Sequence, residues 1–167
     1  MARASSRRAV AVSVTLRPFV LADGDWLDEW LPAIAASVGY DELASLASSA
    51  LRERLARDAT VRARIIGRDG LPVGVVVCRV DAPVAGAAII ELIATPPSEA
   101  RSGAGMKAAA LVESEMLAAG VRRIYAPAPE IHGIAMYFWV RLGYHPLLRP
   151  AWPCERDGVA WLVREVG

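Results

Sequence analysis

The chain reads as short segments in which apolar positions recur at every second residue or at every third and fourth, punctuated by glycine and proline. Residues 12–18 alternate apolar and polar side chains and predict a strand, closed by Pro18. Ala22-Asp23-Gly24-Asp25 offers capping residues for a helix through Trp26, Leu27, Trp30 and Leu31, and a second helix is expected from about Asp41 to Ala56. Residues 60–67 and 72–80 are β-branched runs joined by Arg68-Asp69-Gly70, which predicts a hairpin; a third run, 87–95, follows the break at Pro83 and Gly86.

After Pro96-Pro97 and a glycine turn, a helix is predicted to Leu117, with Leu111, Val112 and Met116 on its inner side, Glu113 and Glu115 more exposed, and Gly120 as its stop. Residues 121–126 predict a short strand and 131–142 a helix ended by Gly143. Two strands, around 144–148 and 159–164, complete the chain. The expected order is β, α, α, three adjacent antiparallel strands, α, β, α, β, β, a mixed and mainly antiparallel sheet with helices on its faces.

Composition narrows the class. At 167 residues the chain is long enough for one core and short for two. Residues 1–10 are expected to form a loose arm ahead of a single domain spanning 11–167. Hydrophobic residues reach 54%, yet no run approaches the roughly 20 apolar residues of a membrane span, and the basic start lacks the apolar stretch and cleavage pattern of a secretory leader. A net charge of +1 gives no global field for nucleic acid, and two cysteines, Cys78 and Cys154, make no disulfide framework. The expectation is a cytoplasmic protein with a small-molecule ligand.

The strongest candidate site is Arg101-Ser102-Gly103-Ala104-Gly105. A strand that feeds a helix through such a turn presents unpaired backbone N–H groups at the positive end of the helix dipole, and glycine lets a phosphate approach. The turn also fits the Gly-x-Gly-x-x-Ala form of a dinucleotide fingerprint through Ala108, with Glu130 as a ribose partner. Against that, residues 96–102 separate the turn from its strand, and an antiparallel meander precedes it. A ligand-free strand-to-helix turn is the plain structural alternative.

Further along, Arg141-Leu142-Gly143-Tyr144 closes a helix. Taken with Leu16-Arg17-Pro18, Glu91-Leu92-Ile93 on a central strand, a proline before the glycine turn, and Ala135 on the later helix, the chain resembles the GNAT superfamily of acyl-CoA-dependent N-acetyltransferases, from about Val14 to the C-terminus. The resemblance implies acetyl transfer from acetyl-CoA to a primary amine of a small molecule or peptide. It also implies a strand that splays from its neighbour, with acyl-CoA in the gap. Backbone N–H groups of Ser102, Gly103, Ala104, Gly105 and Met106 would then hold the pyrophosphate, with Arg101 beside them. The backbone near Ile93 and Ala94 would hold the pantetheine and the thioester carbonyl. The resemblance allows a homodimer.

Three positions depart from the family pattern. Ala100 stands where the family has Gln or Arg, and His132 and Trp139 stand where it often has Asn and a proton-donating Tyr. An indole does not titrate usefully. Tyr137 is about 200° from Trp139 around the helix, whereas His132 returns to nearly the same face; His132 is therefore the candidate acid, and His132 and Trp139 are candidate CoA contacts, against the plainer reading of a helix-entry histidine making one structural bond. Glu91 is the candidate base, against a salt bridge to an arginine such as Arg79. Asp41 and Glu42 are weaker candidates for attracting a cationic amine, Tyr144 is expected in the core, and Trp152 and Arg149 are expected in a loop shaping the acceptor site. Trp139 in the acid slot motivates the alternative of a non-catalytic acyl-CoA-binding module.

Overall fold

The hairpin between residues 68 and 71 forms as its sequence demands. Asp69 and Gly70 both take positive φ (52° and 83°), which matches a two-residue turn to the twist of the flanking strands. The structure, a computed structural model, describes residues 13–37, 48–150, 152 and 158–165. The expected arm at 1–10, the start of the first strand at Val12, the segment with Tyr40, Asp41 and Glu42, and Cys154 lie outside the described residues.

Seven strands form one sheet: β1 (Val14–Pro18), β2 (Val61–Arg68), β3 (Leu71–Val80), β4 (Ala87–Ala94), β5 (Arg123–Pro129), β6 (His145–Pro146) and β7 (Val159–Glu165). Their spatial order is β1-β2-β3-β4-β5-β7-β6, and every neighbouring pair is antiparallel except β4 with β5. On one face lie α4 (Ala104–Ala118) and α5 (Gly133–Arg141), over a core that includes Ile90, Ala108, Val112, Ile124 and Leu162. On the other lie α1 (Asp23–Asp28), α2 (Leu31–Ser37) and α3 (Ser48–Arg57), whose Leu27, Leu31 and Leu51 meet Ile65, Val75 and Val77.

The helix expected through Trp26 and Leu31 is two helices, parted at Glu29 and Trp30. Pro32 is the reason: its ring would strike the carbonyl of Asp28 in a continuous helix, but it is tolerated in the first turn of a new one. Asp23 fixes the entry to α1. Its carboxylate accepts from Arg17 at 2.6 and 2.7 Å and from the Val20 N–H at 2.8 Å. The Arg17 hydrogen bonds, opposed by burial and aided by Val20, hold its pKa below the ordinary carboxylate value. A carboxyl depressed in this way stabilises the fold fully above its unfolded pKa, and that contribution is lost as pH falls through the folded one. Asp23→Asn is therefore expected to lower the melting temperature at neutral pH and to flatten its decline below about pH 4. Equal acid dependence in the two proteins would refute this.

A second correction concerns α4. Glu113 is 5% exposed and Leu111 is 38% exposed, the reverse of the expected pattern. Arg164 on β7 reaches Glu113 Oε2 at 2.5 Å and the Leu142 carbonyl at 3.0 Å, so this carboxylate has a partner inside. Glu115 is exposed as expected and pairs with Arg64 at 2.7 Å.

Candidate functional site

The sheet opens where β4 and β5 part. Their parallel pairing runs from Ala87↔Arg123 to Ile89↔Tyr125 and stops, although β4 continues to Ala94 and β5 to Pro129. Two prolines account for it. The Glu130 N–H donates to Gly158 at the start of β7, so the amides of 124, 126 and 128 also face β7 and those of 125, 127 and 129 face β4. Residues 127 and 129 are prolines with no N–H, so beyond Tyr125 β5 has no donor to offer β4 until the strand ends. The strand expected to end at Ala126 in fact runs through both prolines to Pro129, and the Ala-Pro-Ala-Pro alternation was the legible sign of the gap.

Glu91 sits at the mouth of this gap, on a bulge. Val77 of β3 stands opposite Leu92 while the adjacent Cys78 stands opposite Ile90, so Glu91 is the extra residue of β4. The bulge changes the strand's face. Ala88 and Ile90 point into the core under α4 and α5, whereas Leu92 and Ala94 point into the core under α1–α3. Glu91 joins that second face, where Arg54 of α3 donates to its Oε2 at 2.6 Å and Arg79 Nε lies 3.8 Å from Oε1. Its side chain is 9% exposed. The salt bridge expected with Arg79 is thus secondary, and the nearer partner, Arg54, comes from a helix 37 residues away in sequence.

On the same face β5 and β7 present Tyr125 and Trp161, with Trp152 packed between them at ring distances of 4.5 and 5.6 Å. Trp152 thus lies against β5, which borders the gap, and its outer neighbour β7.

The glycine turn follows a short 3-10 segment, Pro97–Glu99. Arg101 and Gly103 both adopt left-handed backbone (φ 63° and 80°), and Gly103 caps α4. The Lys107 N–H returns to the Gly103 carbonyl, so the amides of Ala104, Gly105 and Met106 are the first three of the helix and lack intrahelical acceptors. Ala104 turns its N–H to Ser102 Oγ at 3.3 Å. The Ser102 N–H, expected among the phosphate donors, instead closes onto the Glu99 carbonyl at 3.2 Å. Glu99 is paired by Arg68 at 2.5 Å, which offsets a negative charge close to the turn.

Strand, turn and later helix meet at Gly105. A Cβ built there lies 3.6 Å from both the Ile93 side chain and the Phe138 ring, ordinary van der Waals contact. Space within the protein therefore does not require this glycine. Gly105→Ala is expected to leave the melting temperature unchanged or slightly raised, since alanine is the better helix former by up to about 1 kcal/mol. Any anion held on the turn is expected to bind about tenfold more weakly, because a methyl group set between Ile93 and Phe138 crowds the approach to the neighbouring amides. A fall in stability equal to the loss of binding would show that the glycine serves the fold alone.

On α5 the structure separates the three aromatic or imidazole candidates. Trp139 is 5% exposed and packs in the core against Phe138 and Tyr144 at ring distances of 4.9 and 5.0 Å, so it fills the slot as a packing residue. Tyr137 is 63% exposed, on another face, with the Arg141 guanidinium over its ring. His132 is the N-cap of α5, its Nδ1 accepting from the Ala135 N–H at 3.2 Å. The structural bond expected of a helix-entry histidine is present, and it fixes the tautomer: the ring proton lies on Nε2. Tyr144 is buried as expected. Burial, and then the negative charge of Glu113, push its phenol well above the usual range, so it stays a neutral hydroxyl.

Among the described residues no group of three or more His, Cys, Asp or Glu side chains is placed to hold a metal ion, and no helix is long and apolar enough to cross a membrane.

No protein-family model and no curated protein matches this sequence. Solved structures do match the fold. An acetyltransferase from Thermus thermophilus superposes with a TM-score of 0.73 at 21% identity, over 92% of this chain and 97% of that one. An acetyltransferase of the GNAT family from Staphylococcus aureus gives 0.72 at 12% identity, over 92% and 99%. The aminoglycoside acetyltransferase AAC(6')-Ib, in complex with coenzyme A and kanamycin, gives 0.70 at 25% identity, over 92% and 95%. The chain has the fold of the GNAT acetyltransferases, a mixed and mostly antiparallel sheet with helices on both faces. The antiparallel strands leading into β4 fit that fold and not the parallel unit of a dinucleotide-binding turn.

Proposed function

We propose that the protein is an acyltransferase that moves an acetyl group from acetyl-CoA to a primary amine by direct attack. The observation that carries this reading is the parted pair β4 and β5, with a glycine-opened helix at one end of the gap and a partly buried carboxylate on the adjoining strand. Coenzyme A accompanies the same fold in AAC(6')-Ib. In this protein the amides of Gly103, Ala104, Gly105 and Met106, with Arg101 and the Ser102 hydroxyl, would bind the pyrophosphate at the positive end of α4. The backbone of Ile93 and Ala94, left without a strand partner on the gap side, would hold the pantetheine and the thioester oxygen. An N–H fixed there stabilises the oxyanion that forms as the amine adds.

Glu91 would take the proton of the attacking amine, directly or through water. The departing thiolate would accept a hydrogen bond from His132 Nε2–H, the donor that the N-cap bond leaves on the outer nitrogen of the ring, and would take its proton from the amide nitrogen, directly or through water. Trp139 has no part in that step. The acceptor is a small molecule or peptide carrying an amine, met on the face that bears Glu91 and Trp152, and the cytoplasm is the proposed compartment.

The test is a pair of measurements on the full chain. Millimolar CoA is expected to raise the melting temperature, because a ligand that binds only the folded state stabilises it by mass action. Acetyl-CoA with a panel of primary amines is expected to release free thiol. Absence of a shift with CoA would remove the cofactor; a shift without thiol release for any amine would leave a binding module in place of an enzyme.

A further inference from the structure

Glu91 is 9% exposed, and a carboxylate so placed needs a charged or hydrogen-bonding partner at all times. That partner is Arg54, whose Nη2 lies 2.6 Å from Oε2. The remaining oxygen faces the Arg79 Nε, a buried donor without a hydrogen bond, at 3.8 Å. The two cations are not alike. Arg79 belongs to β3, the strand beside β4. Arg54 comes from α3, 37 residues from Glu91 in sequence, and its side chain is 31% exposed, with a route to solvent. Asp58 lies four residues on, its backbone N–H bonded to the Arg54 carbonyl and its Oδ2 already 3.4 Å from Arg79. A four-residue separation at a helix end is within reach of a second ion pair.

Building on the assignment of Glu91 as the group that meets the acceptor, we infer that Arg54 is an internal stand-in for a cationic amine, and that the acceptor binds by taking its place at Glu91. The acceptor enters as an ammonium ion. Its N–H groups replace the guanidinium at Oε2, and Arg54 turns toward Asp58. Without that movement the Glu91 carboxylate stays held by the Arg54 guanidinium, with Arg79 beside its other oxygen, and an incoming ammonium would have no free oxygen to meet.

The exchange also gives the site a direction. The ammonium passes one proton to Glu91, its nitrogen lone pair forms the C–N bond to the thioester carbon, and the C–S bond breaks to release CoA thiolate. The amide nitrogen loses its second proton as the thiolate gains one, and Glu91 returns its proton to water. The product amide carries no charge at the reacting nitrogen, so it no longer competes with Arg54, and re-formation of the Arg54–Glu91 pair expels it.

The experiment needs no knowledge of the natural acceptor. In the full chain Arg54→Met keeps the aliphatic stem and leaves Glu91 without its partner. Millimolar 1,4-diaminobutane is expected to raise the melting temperature of this variant by several degrees more than that of the native protein. Butanol and butyrate at the same concentration should not, and the gain should vanish in the double variant Arg54→Met, Glu91→Gln. Arg54→Lys, which keeps a shorter cation, gives the same comparison with a smaller gain should the methionine variant not fold. An amine effect equal in native and variant proteins, or one that survives Glu91→Gln, overturns the exchange. A CoA-induced shift measured on the same samples stands apart: its loss in the native protein would sink the cofactor reading, whatever the amine does.

Discussion

Replacing Glu91 by glutamine is expected to lower turnover by about a hundredfold or more while leaving the CoA-induced rise in melting temperature intact. The magnitude follows from the role. A positioned general base contributes about 10²–10⁴ in rate, and a hundredfold loss corresponds to about 2.7 kcal/mol of transition-state stabilisation. Glutamine is nearly isosteric, and its amide oxygen still accepts from Arg54, so the bulge and the contact with α3 should persist although the ion pair is lost. The turn that would bind pyrophosphate is formed by other residues, which is why binding and chemistry should separate. Turnover unchanged within twofold would show that Glu91 only anchors α3 and that the amine loses its proton elsewhere.

The second large effect concerns stability. Arg164→Met is expected to cost about 3 kcal/mol, because it strands the carboxylate of Glu113, 7% exposed, in the core. The loss should appear as a fall of about 6–12 °C in melting temperature for a domain of this size. Arg164 also donates to the carbonyl of Leu142, the residue that ends α5, so one guanidinium joins β7 to both helices of this face. If the stranded charge is the cause, Glu113→Leu introduced together with Arg164→Met should recover most of the loss. A double variant no more stable than the single one would place the cost in the missing Leu142 contact.

Local rules account for what the sequence disclosed, and long-range pairing for what it withheld. Asp69-Gly70 specified the hairpin, and Gly103 and Gly120 marked the two ends of α4, since each of these effects operates within a few residues. Glu113 escapes helical periodicity, which treats a carboxylate as a surface residue, because its partner stands 51 residues later on another strand. The same holds for Arg54 and Glu91. The bulge at Glu91 depends on the register of β3 against β4 and leaves no pattern in either strand alone. Pro32, by contrast, was legible, and the helical spacing of Trp26, Leu27, Trp30 and Leu31 concealed the break it makes.

Of the candidate site, Ile93 and Gly105 do converge, with Phe138, which the sequence did not single out, beside them, while Trp139 is drawn inward by Tyr144 and Phe138. Matching a family position by spacing along a helix gives the residue's angle but not its depth. An indole is large enough to reach the core from an angle at which a smaller ring need not.

The prolines at 127 and 129 carry one further consequence. A cleft held open by loops can relax shut when empty, and a ligand must then part its walls. Here closure would require β5 to donate hydrogen bonds it does not possess, so the opening is preorganised by covalent structure. A ligand that fits it has no strands to separate, and restoring the missing amides with alanine at both positions would let the sheet zip toward Ala94 and compete with the ligand for the same backbone.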